Sequence, residues 1–308
     1  VDFRGNPDAE PRWHPTDPNV VFFVEGASLW QHNTSTADDT LVHDFSGEVA
    51  GCAFARTRFE GEPSTDCRYW CLRLEDADYE LLRIVCYDRQ TDSIVGRMTE
   101  ITGDWDWVGM DMSGSHCILG SGDTTDAVAY DRSFQNPVPL PHGIGHADVA
   151  LDAAGHDVLV YQNAATDWIA MASLETGVET NLLPIPFSDN TDIGLHFSGN
   201  CDGTPGWVLV STYGEQTTAK SWMDQSLFLV QLQPNPLVWR LAQTFTIQDP
   251  ALEKDYFGEA FAAINRAGSR VWWGSNWNAA GPANHLYETY TAKLPAGWPD
   301  AVTAAAGQ

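Results

Sequence analysis

One phrase recurs six times along this chain and constrains the fold more than any other feature. An apolar-alternating segment is followed by Asp, Asn or Ser–Gly, then a short spacer rich in Gly or Pro, then a second apolar strand. It reads Asp17-Pro18-Asn19-Val20-Val21-Phe22-Phe23, then Asp66-Cys67-Arg68-Tyr69-Trp70-Cys71-Leu72 and Ser113-Gly114-Ser115-His116-Cys117-Ile118-Leu119. It continues as Asp152-Ala153-Ala154-Gly155-His156-Asp157-Val158, Asp202-Gly203-Thr204-Pro205-Gly206-Trp207-Val208 and Asn265-Arg266-Ala267-Gly268-Ser269-Arg270-Val271. The copies begin at 17, 66, 113, 152, 202 and 265. A period of ~40–50 residues built of short strands is the signature of a β-propeller.

Each copy is a tight strand–turn–strand corner. Gly tolerates positive φ, and Asx side chains bond the backbone one or two residues on. The residues that follow are β-branched or aromatic, as a half-buried pleated surface requires. A third strand is expected at 28–32, 81–88, 127–131, 167–173, 226–232 and 285–293, and a fourth at 178–183 and 238–245. Four strands per repeat make a propeller blade, and no long amphipathic helix is evident. The expectation is an all-β propeller of four-stranded blades with six repeats. A seventh blade, assembled from both chain ends, is compatible with the incomplete first and last repeats, and a β-sandwich with coincidental spacing is the alternative. Residues 1–302 read as one domain and 303–308 as a tail without core-forming residues. The chain opens on Val1 and shows no signal peptide, as expected of a processed chain.

Six cysteines stand at 52, 67, 71, 86, 117 and 201, with no Cys-x-x-Cys pair, so a zinc ribbon is not indicated. Cys71 and Cys86 fall on successive strands of one hairpin, about equally far from the turn at Asp76-Ala77-Asp78. Two readings stand: a disulfide between them, as in an exported protein, or buried free thiols.

In a propeller the first strand of each blade lines the central channel. The residues that open those strands are therefore the candidates for chemistry. Glu10, Glu62, Asp106, His146, His196 and Glu259 recur at equivalent places, with Arg12 beside the first. Their convergence is the best site candidate, against the plainer reading of a polar lining for a hydrated channel. Histidine titrates near neutrality and suits proton transfer or metal ligation. Tyr213, at the end of the second strand of repeat five, is either a general acid or a capping aromatic.

Thirteen Trp are present. Indole faces pack on sugar rings and also on neighbouring blades. Trp105 and Trp107 bracket Asp106, while Trp272, Trp273 and Trp277 crowd one corner of repeat six. Successive strand residues face opposite ways, so Trp272 and Trp273 cannot both be core on one side. Trp107 and Trp273, with Asp106, Glu10 and Glu259, are the candidate substrate-binding residues. Phosphate-loop, Gly-x-Ser-x-Gly, His-Glu-x-x-His and haem-attachment motifs are absent from the sequence.

The segments Pro11–Pro18, Gly145-His146-Ala147-Asp148, Pro205–Tyr213 and Gly274-Ser275-Asn276-Trp277 resemble secreted bacterial propellers, of the Tol-type periplasmic kind and of the oligogalacturonate and ulvan lyases. The resemblance implies proton abstraction α to a uronate carboxylate and β-elimination of the 4-linked sugar. It implies His146 or His196 as base, Tyr213 as acid and a cation on the carboxylate. Asn200 stands where that Arg is sought after His196, so Arg12 is assigned the role. The alternative function is a non-catalytic extracellular propeller that binds a glycan or a protein, or builds a surface assembly.

Charge narrows the partners. The formal net charge is −26, from 28 Asp and 14 Glu against 13 Arg and 3 Lys. Such a surface repels nucleic acid and anionic membranes, and no apolar run reaches the ~18 residues of a membrane span. Calcium is the cofactor such carboxylates would take, although no Asp-x-Asp-x-Asp-Gly loop is present and a solvated surface is the simpler account. Short carboxylates with scarce Lys fit an extracellular or periplasmic protein in salty water, where screening over ~10 Å or less relieves self-repulsion. The melting midpoint is therefore expected to rise between low-salt buffer and molar sodium chloride; an unchanged or lower midpoint contradicts it.

Overall fold

The computed structural model describes residues 11–57, 62–101, 105–121, 126–187, 193–214, 221–248, 258–277 and 287–307. The fold is an all-β six-bladed propeller of mostly four-stranded antiparallel sheets. Two compact units divide it, Val1–Leu140 and Pro141–Gln308.

The first unit holds three blades. Blade one is β1 (Arg12–Trp13), β2 (Val20–Glu25), β3 (Ser28–Asn33) and β4 (Asp38–Asp44). Blade two is β5 (Phe54–Arg56), β6 (Tyr69–Glu75), β7 (Leu81–Asp88) and β8 (Ser93–Met98). Blade three is β9 (Trp107–Met110), β10 (His116–Gly120), β11 (Ala127–Asp131) and β12 (Val138–Pro139). The second unit holds blade four, with β13 (Ile144–Leu151), β14 (Asp157–Asn163), β15 (Trp168–Ser173) and β16 (Glu179–Pro184). Blade five is β17 (Gly194–Ser198), β18 (Trp207–Tyr213), β19 (Ser226–Gln231) and β20 (Val238–Gln243). Blade six has three described strands, β21 (Ala263–Ile264), β22 (Arg270–Ser275) and β23 (Glu288–Lys293), and is followed by helix α1 (Trp298–Ala306).

All six copies of the recurring phrase join the first strand of a blade to its second. The turn chemistry is as expected from the residues. Asp66 Oδ1 accepts from the Arg68 amide, Asp152 Oδ1 from the Ala154 and His156 amides, and Asn265 Oδ1 from the Ser269 and Arg270 amides. Gly155, Gly206 and Gly268 take positive φ near these corners; in blade two a cysteine, Cys67, occupies the left-handed position at φ 53°.

Blade two and blade five are each covered on both faces, blade two by blades one and three and blade five by blades four and six. Trp70, Leu72 and Leu74 of β6 face blade one, where they meet Phe22 and Leu29. Cys71 lies on the opposite face, among Met110, Cys117 and Leu119 of blade three. The expected pairing of Cys71 with Cys86 is corrected accordingly. The two are register partners across β6 and β7, but the disulfide joins Cys71 to Cys117, with Cα atoms 5.7 Å apart. Register partners leave a sheet side by side, whereas Cys117 projects toward Cys71 from the facing blade. Cys86 stays a buried thiol.

Residues 303–306 form the last turn of α1. The buried Trp298 anchors that helix against Trp207 and Trp239 and donates its indole N–H to Gly268 O at 2.7 Å. Glu62 does not open the first strand of blade two, because β5 begins at Phe54 and precedes it.

Burial pushes the Cys86 and Cys201 thiols up to about 12. Both are therefore expected to resist iodoacetamide in the native protein at pH 8, and non-reducing peptide maps should show a Cys71–Cys117 link. Closing a loop of this length contributes about 2–4 kcal/mol, so a Cys71→Ala/Cys117→Ala variant should lose that stability. A Cys71–Cys86 peptide would overturn the assignment.

Candidate functional site

The second unit brings together four of the residues singled out from the sequence. His196, in β17, is 5% exposed, and its Nε2 meets Glu259 Oε2 at 2.6 Å. The rings of His146 and His196 are 4.8 Å apart and edge-on, while Tyr213 stacks on His196 at 5.1 Å. Phe261, which the sequence reading did not select, lies 4.3 Å from the His196 ring. His146 and Tyr213 are half-buried. The result is an imidazole enclosed by a carboxylate, a second imidazole, a phenol and a phenyl ring. His196 Nδ1 is buried without a hydrogen-bond partner among the described residues.

Local backbone irregularities aim these side chains. In β13, Ile144 pairs with Asn163 and Ala147 with Tyr161, so Gly145 and His146 together face one residue, Gln162. That is a β-bulge, and bulges re-aim side chains at strand ends. Tyr213 pairs with Gly194, and a Cβ on Gly194 would occupy the space of the phenol ring. Glycine there lets the phenol lie across its own sheet and reach His196. Phe261 sits between the buried Ala260 and Ala262 and takes φ 43°, which turns it outward to 40% exposure. A bulky residue at positive φ is a strained choice that the surroundings must enforce. Here the Gly274 amide donates to Ala260 O at 2.8 Å and the Ala262 amide to Ser211 Oγ at 3.2 Å.

The inner strands are stitched to one another by side chains. The buried Asp148 accepts from the Val149 amide with Oδ1 and from the Gly199 amide of blade five with Oδ2, both at 2.8 Å. Ser198 Oγ accepts from the Ile264 amide of blade six at 3.2 Å. These bonds fix the relative register of β13, β17 and β21, and so of His146, His196 and Glu259. Asp148 stood two residues after His146 in the phrase Gly145-His146-Ala147-Asp148, and nothing in the sequence marked it as a tie between blades.

The remaining candidates are held by other partners or belong to the first unit. Arg12 is in the first unit, where its Nε meets Glu62 Oε2 at 2.8 Å. Asp106 is 3.6 Å from Nη1 of the buried Arg73, and Trp107 opens β9. Glu10 lies outside the described residues. Trp273 is 8% exposed and donates its indole N–H to Thr244 O, so it is packed rather than open, while Trp277 is 54% exposed. Among the described residues no group of three or more His, Cys, Asp or Glu side chains could hold a metal ion, and no helix is long and apolar enough to cross a membrane.

No family model and no curated protein matches the sequence. Solved structures do match the fold. Oligogalacturonate lyase from Vibrio parahaemolyticus is 14% identical, with 93% of this chain and 77% of that one covered and a TM-score of 0.56. The WD40 repeats of RRP9 are 14% identical over 94% and 82%, with a TM-score of 0.51. TolB from Acinetobacter baumannii is 17% identical over 76% of this chain, which spans 54% of that one, with a TM-score of 0.46. Identities this low establish the propeller architecture and leave the chemistry to the side chains.

Asp148→Ala would strand the Gly199 amide in the interior and remove a charge-assisted bond. It is expected to cost about 3 kcal/mol. Chemical denaturation checks this; a loss below about 1 kcal/mol would show that the stitch is dispensable.

Proposed function

We propose that this is a secreted carbohydrate-active propeller that cleaves uronate-containing polysaccharide by β-elimination at His146, His196, Tyr213 and Glu259. The observation that carries the reading is the contact of the buried His196 with the half-buried Glu259, beside two half-buried groups able to exchange protons, His146 and Tyr213. A carboxylate on one imidazole nitrogen holds the ring's tautomer and orientation. With Nε2 on Glu259 and Nδ1 out of solvent, His196 acts as a positioning residue. It sets the angle of His146 and the plane of Tyr213.

The chemistry then follows from the half-buried partners. His146 takes the proton α to the uronate carboxylate. The electron pair of that C–H bond forms the new carbon–carbon double bond, the bond to the 4-linked sugar oxygen breaks, and the Tyr213 phenol donates a proton to the departing oxygen. Phe261 offers an apolar wall to the sugar ring at the same opening. The disulfide suits an oxidising compartment, which supports an extracellular or periplasmic setting. The reading uses residues of the second unit only.

The assay is growth of ultraviolet absorbance from the conjugated double bond on oligogalacturonate and on ulvan. His146→Ala and Tyr213→Phe should each cost about 10²–10⁴ in kcat, and Glu259→Gln a smaller share through misorientation of His196. Gly194→Ala should lower the rate by displacing Tyr213 while the far-ultraviolet circular dichroism stays that of the wild type. A wild type that generates no absorbance on any uronate polymer removes the lyase reading and leaves the non-catalytic binding propeller in its place.

A further inference from the structure

Strand β22 ends in a segment whose hydrogen bonds are spent on holding aromatic rings outward. Four bonds fasten it to residues 244–247. Trp273 Nε1 donates to Thr244 O at 3.2 Å and Ser275 Oγ to Phe245 O at 2.8 Å. Asn276 uses both ends of its amide on one residue: Nδ2 donates to Ile247 O at 2.7 Å, and Oδ1 accepts from the Ile247 amide at 3.0 Å. Ser275 Oγ also accepts from the Trp277 amide at 3.0 Å. Ser275 and Asn276 are themselves buried.

The consequence is a pinned aromatic row. Ring centroids step from Trp273 to Tyr290 at 5.9 Å, from Tyr290 to Trp277 at 5.0 Å and from Trp277 to Phe245 at 4.6 Å. The inner end, Trp273, is buried, whereas Trp277 and Phe245 are 54% and 39% exposed. Both exposed members hold left-handed backbone, at φ 50° and 52°. Each such bulky residue costs on the order of 1–3 kcal/mol and persists only where its surroundings enforce it. The chain thus carries strain to keep two large rings in water, although burying a ring would stabilise it by about 1.5–3 kcal/mol. At the edge of the row the Tyr290 hydroxyl donates to Glu288 Oε2 at 3.1 Å.

We propose that Phe245, Trp277 and Tyr290 form a glycan subsite that takes one or two pyranose rings of a polysaccharide chain. Three properties select that ligand. The rings touch one another, so they leave no cage between them for a quaternary ammonium ion. The exposed aromatic area is on the order of 200 Å², far below the ~800 Å² per partner of a stable protein interface. The exposed ring surface of Trp277 and Phe245, with the Glu288 carboxylate at the edge of the row, matches a sugar, which presents C–H groups on a ring face and hydroxyl donors around its rim. Because the rings are already fixed, little side-chain freedom is lost on binding. The proposal is independent of the elimination chemistry, since the row contains neither His146, His196, Tyr213 nor Glu259.

Native gels cast with mixed-linkage β-glucan, xylan or polygalacturonate test it. The wild type should be retarded by at least one of them. Trp277→Ala should weaken that retention at least tenfold, Trp277→Phe should retain part of it, and His196→Ala should be retarded like the wild type even if cleavage is lost. Melting curves confirm that each variant folds; Trp273→Ala is avoided because that ring is core. No retardation of the wild type on any of the three polymers overturns the proposal, as does equal retardation of Trp277→Ala. A self-association of the wild type that disappears in Trp277→Ala, without retention on any glycan, would also overturn it and reassign the row to contact between copies.

Discussion

The buried carboxylate of Asp148 is the interaction on which the candidate site depends. Its two oxygens accept backbone amides from its own strand and from the next blade. Among the described residues no strand of one sheet is laddered to a strand of another. Neighbouring blades are joined instead by single backbone bonds at corners, such as the Gly206 amide to Leu151 O and the Gly203 amide to Arg266 O, and by side chains between the inner strands. Asp148 ties blade four to blade five, and Ser198 and Ser211 tie blade five to blade six. A slip of one residue would turn His196 to the opposite face of β17 and away from Glu259. The polar stitches fix which residues meet, and the apolar packing around them supplies the bulk of the stability.

Blade packing explains where the large side chains go. A strand covered on both faces sends alternate residues to different neighbours, so Trp70 and Cys71 serve opposite interfaces although they adjoin in sequence. The same rule carries Trp273 inward and Trp272 outward along β22. At the end of the chain, Trp298 packs α1 on the indoles of Trp207 and Trp239. Much of the tryptophan excess is thus interior cement. The exposed ring at Trp277 departs from that pattern, which is why its enforced backbone conformation carries weight.

The site and the aromatic row share a device. In both, an aromatic residue at positive φ is held outward by hydrogen bonds from a neighbouring segment: Phe261 over His196, and Trp277 beside Phe245. Regular strand geometry would bury or misdirect these rings. A bulge at Gly145–His146 and a glycine beneath Tyr213 do the same for the polar groups. Structures with a similar fold include an oligogalacturonate lyase and a set of WD40 repeats, so the scaffold does not dictate the role and the local departures are what distinguish this chain.

The sequence by itself determined the blades. Turn chemistry and alternation are local properties, so six corners, the strand sets β7 and β11 and the facing of Cys71 and Cys86 across one hairpin were legible from residue order. It also put His146, His196 and Glu259 on one list, because the openings of successive inner strands are equivalent positions in a repeat, and added Tyr213 from the end of a second strand. Tertiary structure decided the rest. Cys71 bonds Cys117 because a blade interface, not a hairpin, brings their sulfurs face to face. Phe261 joins the site through a backbone conformation that no residue type announces, and Glu62 falls past the first strand of its blade because β5 begins earlier than the repeat suggested. Alternation specifies which face a side chain leaves by; which neighbour waits on that face depends on contacts between residues far apart in the chain, and those exist only once the blades have packed.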